Sequence, residues 1–121
     1  MTKTKRILVV EDDPMIRDFL CELLQAKGFA TRCCTEGETA LKMAEEAPPD
    51  VVITDYRLPG MNGVEIAVIM RARRPEALII GMSSENKADI FRDAGADFFI
   101  QKPFPVQNLV SIITKGRGTD A

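Results

Sequence analysis

The sequence VVITDYRLPGMNG, residues 51–63, decides the fold of this chain. Four residues with apolar or β-favouring side chains run without alternation into a single carboxylate, Asp55. Such a run is typical of a strand that is buried on both faces in a parallel sheet. A turn rich in Pro, Gly and Asn follows, so Asp55 ends the strand, at the edge where α/β folds bind ligands. Asp55 is therefore the candidate reactive group. The alternative is an Asp that only caps the following turn.

The rest of the chain repeats this strand–turn–helix pattern four times. Apolar runs predict further strands at residues 5–10, 30–34, 77–82 and 98–101. Apolar residues at helical spacing predict a helix that begins at Pro14, with Asp13 as N-cap, and ends near Gly28. Further helices are predicted over residues 36–46, 64–73, 85–94 and 105–114. In the first helix six apolar residues share the helical spacing: Met15, Ile16, Phe19, Leu20, Leu23 and Leu24.

Five strands alternating with five helices predict a flavodoxin-like (βα)5 domain. Its parallel five-stranded sheet is expected in the order 2-1-3-4-5, with helices on both faces and right-handed crossovers. A chain of 121 residues is expected to form one domain, residues 1–121, with 115–121 as a flexible tail or linker stub. The sequence leaves open whether this is a stand-alone protein or a part of a longer one.

Composition excludes several classes of function. The net charge of −2 gives no electrostatic footprint for nucleic acid, so no direct nucleic-acid binding is expected. No window of 18 apolar residues exists, which predicts no membrane insertion. Three cysteines without metal-ligand spacing indicate reduced thiols and a cytoplasmic location. The absence of histidine excludes Ser-His and Cys-His hydrolases and histidine-ligated metals.

Acidic residues follow two strands that the predicted order makes neighbours. Glu11 and Asp12 come directly after the first strand and Asp55 ends the third, so the three should converge. At about 5 Å and a dielectric near 20, each like-charged pair costs about 3 kcal/mol, which favours a compensating cation. Oxygen ligands alone suit a hard ion such as Mg²⁺. An Asp beside such an ion can accept a phosphoryl group as an acyl phosphate.

Two further side chains at strand ends suit the binding of a phosphoryl group. Ser83 follows the fourth strand and offers a hydroxyl donor, while Lys102 follows the fifth and offers a positive charge. Each residue alone is more often an ordinary surface or turn residue. All of them together at successive strand ends form a specific constellation.

With these pieces the sequence resembles the response-regulator receiver domain of two-component signalling, the CheY-like family. The matching segments are ILVVEDDP, VVITDYRLPGMNG, IIGMSS and AGADFFIQKPF, spread over nearly the whole chain. The resemblance implies a switch in which a histidine kinase or histidine phosphotransfer protein donates a phosphoryl group to Asp55. A conformational change then relays the signal to an output partner that the sequence does not name. On this implication the chain is a phosphoacceptor that catalyses only its own phosphorylation and dephosphorylation.

The same resemblance implies how a Mg²⁺ ion is held. Asp12 and Asp55 would ligate it directly, together with the backbone carbonyl of Arg57. Glu11 would act mainly through a metal-bound water.

The resemblance also implies roles around the phosphoryl group. Ser83 and Lys102 would hold it, and Phe99 would be the aromatic switch whose rotamer follows Ser83, moving inward on phosphorylation. Because serine is small, space for the inward ring is expected to exist already at rest. The Lys102–Pro103 bond would be cis.

Arg57 and Glu85 lie two residues beyond Asp55 and Ser83, where the family tunes the lifetime of the acyl phosphate. Their opposite charges predict an ion pair across the mouth of the site, with two solvated side chains as the alternative.

The chain departs from the family pattern in three respects. Residues 83–95 are about three residues shorter than expected, roughly one helical turn. Ser84 replaces a small apolar residue, and Phe99 has no hydroxyl.

Three other functions compete with a phosphorylated receiver. A receiver-like module without phosphorylation would lack an acid or the lysine. An aspartyl-phosphate hydrolase would carry an acid where Arg57 stands. A flavin binder would need a Ser/Thr/Gly-rich phosphate loop after the first strand, where this chain has acids.

Overall fold

A computed structural model describes residues 4–116 of the chain. Strands and helices alternate throughout, in the order β1 (Arg6–Val10), α1 (Pro14–Ala26), β2 (Ala30–Cys34), α2 (Gly37–Glu46), β3 (Val51–Asp55), α3 (Gly63–Arg73), β4 (Leu78–Ser83), α4 (Ala88–Asp93), β5 (Phe98–Gln101) and α5 (Val106–Lys115). Lys115 belongs to the last helix, and residues 117–121 of the predicted tail lie outside the described part.

The strands form one parallel sheet in the order β2-β1-β3-β4-β5, which confirms the predicted topology. The register places Val10 beside Thr54, so Glu11 and Asp55 follow at the same height on neighbouring strands. On the other side of β3, Asp55 lies opposite Met82. Parallel pairing therefore brings the C-terminal ends of β1, β3 and β4 to one edge of the sheet.

Two hydrophobic cores cover the two faces of the sheet, which explains why the central strands are apolar without alternation. One core joins Val9 and Ile53 to buried residues of α1 and α5. The other joins Val10 and Val52 to buried residues of α2, α3 and α4. Among the described residues no helix is both long and apolar enough to traverse a lipid bilayer.

Helix α1 begins as its sequence predicts, but its apolar stripe is narrower. The carboxylate of Asp13 accepts hydrogen bonds from the N–H groups of Met15 and Ile16, at 2.9 and 3.3 Å. Leu20 and Leu24 are buried, whereas Met15 is 83% exposed. Phe19 is 54% exposed, so two of the six residues at helical spacing face solvent.

The predicted start of α4 at residue 85 is wrong, because the helix begins at Ala88. Ser83 and Asn86 each form a local hydrogen bond to the backbone N–H two residues on, and such bonds compete with helix formation. The Oγ of Ser83 accepts from the N–H of Glu85 at 3.1 Å. The Oδ1 of Asn86 accepts from the N–H of Ala88 at 3.2 Å. With six residues, α4 is the shortest helix of the described chain.

Candidate functional site

The three predicted carboxylates converge at the C-terminal edge of the sheet. Oxygen atoms of Glu11, Asp12 and Asp55 all lie within 4.8 Å of one another. Glu11 is only 1% exposed and Asp55 only 7%, whereas Asp12 faces solvent. The edge therefore carries two buried acids and one that is open to the surroundings.

Lys102 lies among these acids. Its Nζ is 2.7 Å from Oε1 of Glu11 and 2.8 Å from Oδ1 of Asp55. The N–H of Lys102 donates to the carbonyl of Ser83 at 2.8 Å, and the Lys102–Pro103 bond is cis, as expected. The acids therefore repel one another less than the sequence alone predicts, since one ammonium already compensates part of their negative charge. One ammonium among three carboxylates still leaves an excess of negative charge.

Burial and hydrogen bonds shift the pKa values of Glu11 and Lys102. Burial raises the pKa of Glu11, although the hydrogen bond from Lys102 and the one from the N–H of Asp13, at 3.1 Å, act in the opposite direction. Burial alone would lower the pKa of Lys102, but hydrogen bonds to Asp55 and Glu11 outweigh it and the pKa is raised. Lys102 is therefore a permanent cation near neutral pH. Both carboxylate oxygens of Glu11 are already engaged.

The donor set of the cluster fits a hard divalent cation. It offers carboxylate oxygens that lie close together, and the sequence contains no histidine that would favour a softer metal. Asp12 is the exposed member of the cluster, so its carboxylate is accessible from solvent. The cluster is therefore a candidate Mg²⁺ site.

Ser83 completes the edge at the end of β4, one residue further than its predicted strand. Its side chain is nearly inaccessible, at 3% exposure. Ser83 pairs with Gln101 across β4 and β5, next to Lys102. Hydroxyl, ammonium and carboxylate groups thus end three adjacent strands, in the arrangement that the sequence predicted.

Arg57 and Glu85 form the predicted ion pair. Oε1 of Glu85 accepts from Nε of Arg57 at 3.0 Å and from Nη2 at 2.6 Å. Both side chains are exposed, at 71% and 47%. The pair joins the loop after β3 to the loop after β4, and its effect on the lifetime of an acyl phosphate stays a prediction.

Neighbouring residues hold the backbone carbonyl of Asp55 in place. The hydroxyl of Thr54 donates to the carbonyl of Asp55 at 3.0 Å. A Cβ on Gly63 would collide with that same carbonyl, so the turn closes this tightly only with glycine. Asn62 caps α3 in a capping box with Glu65.

Sequence reasoning missed Phe91, which packs against the predicted switch residue Phe99. Their rings lie 5.7 Å apart with planes inclined by 31°. The ring of Tyr56, the residue after Asp55, meets Phe91 edge-on at 6.3 Å. Gly81 is the sequence feature that could have indicated this packing, because a glycine inside an apolar strand often marks the close approach of another group to the strand.

Comparisons with known proteins agree with this geometry. Residues 7–114 match the family model described as response regulator receiver domain. The chain is 35% identical over 112 residues to the DNA-binding response regulator MtrA of Mycolicibacterium smegmatis, covering 91% of this chain and 49% of that protein. It is 32% identical to the regulatory protein AtoC of Escherichia coli over 118 residues, 95% of this chain and 26% of that one. The chain thus spans less than half the length of these curated relatives.

Solved structures of response regulators are also similar to this chain. The crystal structure of response regulator protein TrrA from Thermotoga maritima, in complex with Mg²⁺ and BeF, is similar with a TM-score of 0.85 and 36% identity, over 93% of this chain and 98% of that one. The chemotaxis response regulator CheY4 of Vibrio cholerae is similar with a TM-score of 0.86 and 26% identity, over 93% and 98% of the two chains.

Proposed function

The chain belongs to the response regulator receiver domain family, the phosphorylation-dependent switches of two-component systems, and we propose that Asp55 is its phosphoacceptor. One observation carries the proposal: Lys102 contacts Asp55 at 2.8 Å and Glu11 at 2.7 Å at the end of the central strands. A carboxylate in contact with a cation and with other acids is equipped to become an acyl phosphate. Residues 1–121 are proposed to form a single receiver domain.

The proposed reaction moves a phosphoryl group from a phosphohistidine to Asp55. A carboxylate oxygen of Asp55 attacks the phosphorus, an O–P bond forms, and the N–P bond breaks. The bonding electrons leave with the imidazole, which takes up a proton. Lys102 then moves from the carboxylate oxygen to a phosphoryl oxygen, and the hydroxyl of Ser83 donates to another.

Mg²⁺, when bound, supplies positive charge that offsets the acids and the incoming phosphoryl group. Asp12 and Asp55 are the proposed ligands, together with the carbonyl of Arg57. Because both oxygens of Glu11 already accept hydrogen bonds, Glu11 is proposed to act through a water.

A histidine kinase or histidine phosphotransfer protein is the proposed donor. It must bring its phosphoryl group to the edge that carries Asp55, next to the first turn of α1. Met15 and Phe19 lie one turn apart on α1 and expose apolar surface, as docking residues do. We propose that the donor covers these two side chains.

The DNA binding named for MtrA belongs to a protein more than twice the matched length. That this chain does not itself bind nucleic acid stays a prediction, as does its output partner. The three free cysteines fit the proposed location in the reducing cytoplasm.

The test is phosphorylation by acetyl phosphate with Mg²⁺, read by intact mass. The wild type should gain one phosphoryl group and Asp55→Asn none, while Asp93→Asn, the same change at an exposed Asp, should behave as the wild type. Phosphoryl uptake by Asp55→Asn, or none by the wild type, would overturn the assignment. Met15→Ala with Phe19→Ala should leave acetyl phosphate uptake unchanged and slow transfer from the donor protein. Equal slowing with both donors would remove the docking role.

A further inference from the structure

We propose that Cys21 and Cys33 are a redox-sensitive pair, in which hydrogen peroxide converts the two thiols into a disulfide that joins α1 to β2. Cys21 lies on α1 and Cys33 on β2, and both are free thiols. The proposal goes beyond the phosphorylation of Asp55 and does not depend on it.

The fold brings the two thiols into contact. The thiols of Cys21 and Cys33 share a hydrogen bond. The Sγ of Cys33 also lies 4.0 Å from the carbonyl oxygen of Arg17, to which it donates, and Arg17 comes one helical turn before Cys21 on α1. The Cys33 thiol therefore lies against the turn that carries Cys21. Thiols in such contact meet the first condition for a disulfide, which requires the two side chains to point toward each other.

Cys34 is excluded as the partner of Cys21, although it follows Cys33 directly. Successive residues of a strand point to opposite faces of the sheet. Cys33 packs against the core that includes Leu20 of α1, whereas Cys34 belongs to the core on the other face. Cys34 is also buried, and its Sγ donates to the carbonyl of Glu36 at 3.7 Å. The chain thus contains a matched cysteine, next to the pair in sequence, that should not join the disulfide.

Cys21 is the thiol that attacks the oxidant. Burial and, after it, the hydrogen bond with Cys21 raise the pKa of the Cys33 thiol, so Cys33 stays protonated near neutral pH and is the poorer nucleophile. Cys21 is only half-buried. Nε2 of Gln25 lies 3.6 Å from Sγ of Cys21 and also donates to the carbonyl of Thr31 at 3.1 Å. This N–H donor can stabilise the negative charge that forms on the Cys21 sulfur during the attack.

The reaction consumes one peroxide for each disulfide. The Cys21 sulfur attacks one oxygen of hydrogen peroxide, an S–O bond forms, the O–O bond breaks, and the other oxygen leaves with the Cys21 proton as water. The Cys33 sulfur then attacks the Cys21 sulfur, the S–S bond forms, and hydroxide leaves with the Cys33 proton as a second water. Two thiols are oxidised by two electrons, and one peroxide is reduced to two waters.

The test treats the purified chain with hydrogen peroxide, alkylates the remaining thiols in denaturant and reads the intact mass. The folded wild type should lose two hydrogens and keep one thiol, which peptide mapping should place at Cys34. Cys34→Ser, whose hydroxyl can donate to the same carbonyl, should form the same disulfide, whereas Cys21→Ser and Cys33→Ser should form none. The oxidised wild type should melt several degrees higher than the reduced protein, because the crosslink constrains the unfolded chain.

Two further measurements test the contact and the order of attack. In urea the contact is lost, so peroxide should give mixed pairings in which Cys34 takes part. In folded Cys33→Ser, dimedone should trap a sulfenic acid on Cys21, whereas Cys21→Ser should give several-fold less of it on Cys33. Equal trapping in these two variants would overturn the role of Cys21 as the attacking thiol.

The pairing in the wild type decides the proposal even where a variant does not fold. Disulfides through Cys34 in the folded protein, or oxidation without any S–S bond, would overturn it. The same mixture of pairings in the folded and the denatured chain would overturn it as well, because the fold would then not select the pair.

Discussion

Asp55 lies between two regions in which different interactions dominate. On its carboxylate side stands the acidic edge, the cluster of Glu11, Asp12 and Asp55 with Lys102. On its main-chain side stands the aromatic cluster of Tyr56, Phe91 and Phe99 over Gly81. The acidic edge collects like charges that repel one another, whereas the aromatic cluster is a close-packed apolar interior. The first region concentrates charge around the Asp55 carboxylate at a cost in stability, and the second packs against the main chain that carries Asp55.

This comparison predicts opposite responses to substitution. Removing the negative charge of Asp12, the exposed member of the acidic edge, should remove function and raise or preserve stability. Removing bulk from the aromatic cluster should lower stability first. Three predictions test the contrast, in order of decreasing effect.

Phe91→Ala should lower the free energy of unfolding by about 3–5 kcal/mol, the usual cost of a cavity left by a buried aromatic ring. Urea unfolding measures this loss of stability, provided that the dependence of the unfolding free energy on urea concentration is the same in both proteins. The control is Ile90→Ala, the adjacent apolar residue of α4, which is 40% exposed and should cost clearly less. Equal costs for the two variants would show that the aromatic cluster does not anchor α4.

The sequence predicted the strands better than the helix next to the aromatic cluster. The strands β2, β3 and β5 begin and end where predicted, because turn residues and charges border them sharply. The start of α4 was missed, since the hydrogen bonds of Ser83 and Asn86 to nearby N–H groups leave no trace in hydrophobic periodicity.

The site shows the same division between local pattern and tertiary contact. The convergence of the three acids follows from strand order alone, and so it was predictable. Lys102 lies between two carboxylates because its ammonium compensates their buried negative charge while no phosphoryl group is bound. This contact depends on the conformation of a long side chain, which strand order does not give. The contacts of Phe91 could not be predicted from the sequence. Periodicity shows that a helical residue faces the core, but it does not show which strand residue that side chain contacts.

Mg²⁺ should stabilise the unphosphorylated protein through the acidic edge. At ten times its dissociation constant, a one-site ligand adds about 1.4 kcal/mol, which is a rise of several degrees in melting temperature for a chain of this size. Asp12→Asn should abolish most of that rise and stabilise the metal-free protein, because it removes a like charge. Melting curves with and without Mg²⁺ measure both effects.

Asp13→Asn is the matched control for this prediction. Asp13 caps α1, and asparagine caps a helix about as well, so stability should change little and the response to Mg²⁺ should remain. A wild-type melting temperature indifferent to Mg²⁺, or the same loss of response in both variants, would contradict a metal site at the acidic edge.

The smallest expected effect belongs to the Arg57–Glu85 pair, which joins the loop after β3 to the loop after β4. It is exposed, and exposed pairs contribute about 0–1 kcal/mol. Its effect on hydrolysis of the acyl phosphate is therefore at most about fivefold, since about 1.4 kcal/mol is a factor of ten in rate. We expect Arg57→Ala and Glu85→Ala each to lose the phosphoryl group a few times faster, because each removes the ion pair that hinders the approach of water.

A double-mutant cycle on dephosphorylation rates decides whether the two residues act as a unit. If they do, the double variant loses its phosphoryl group little faster than either single variant. If the two effects on the logarithm of the rate add, the ion pair is present but is no gate. The control is the pair of Arg92 and Asp89 on α4, also exposed and 3.0 Å apart, whose alanine variants should leave the lifetime unchanged. Any slowing of water attack by Arg57 and Glu85 must then come from their location two residues beyond Asp55 and Ser83, because a surface ion pair of the same kind elsewhere has no such effect.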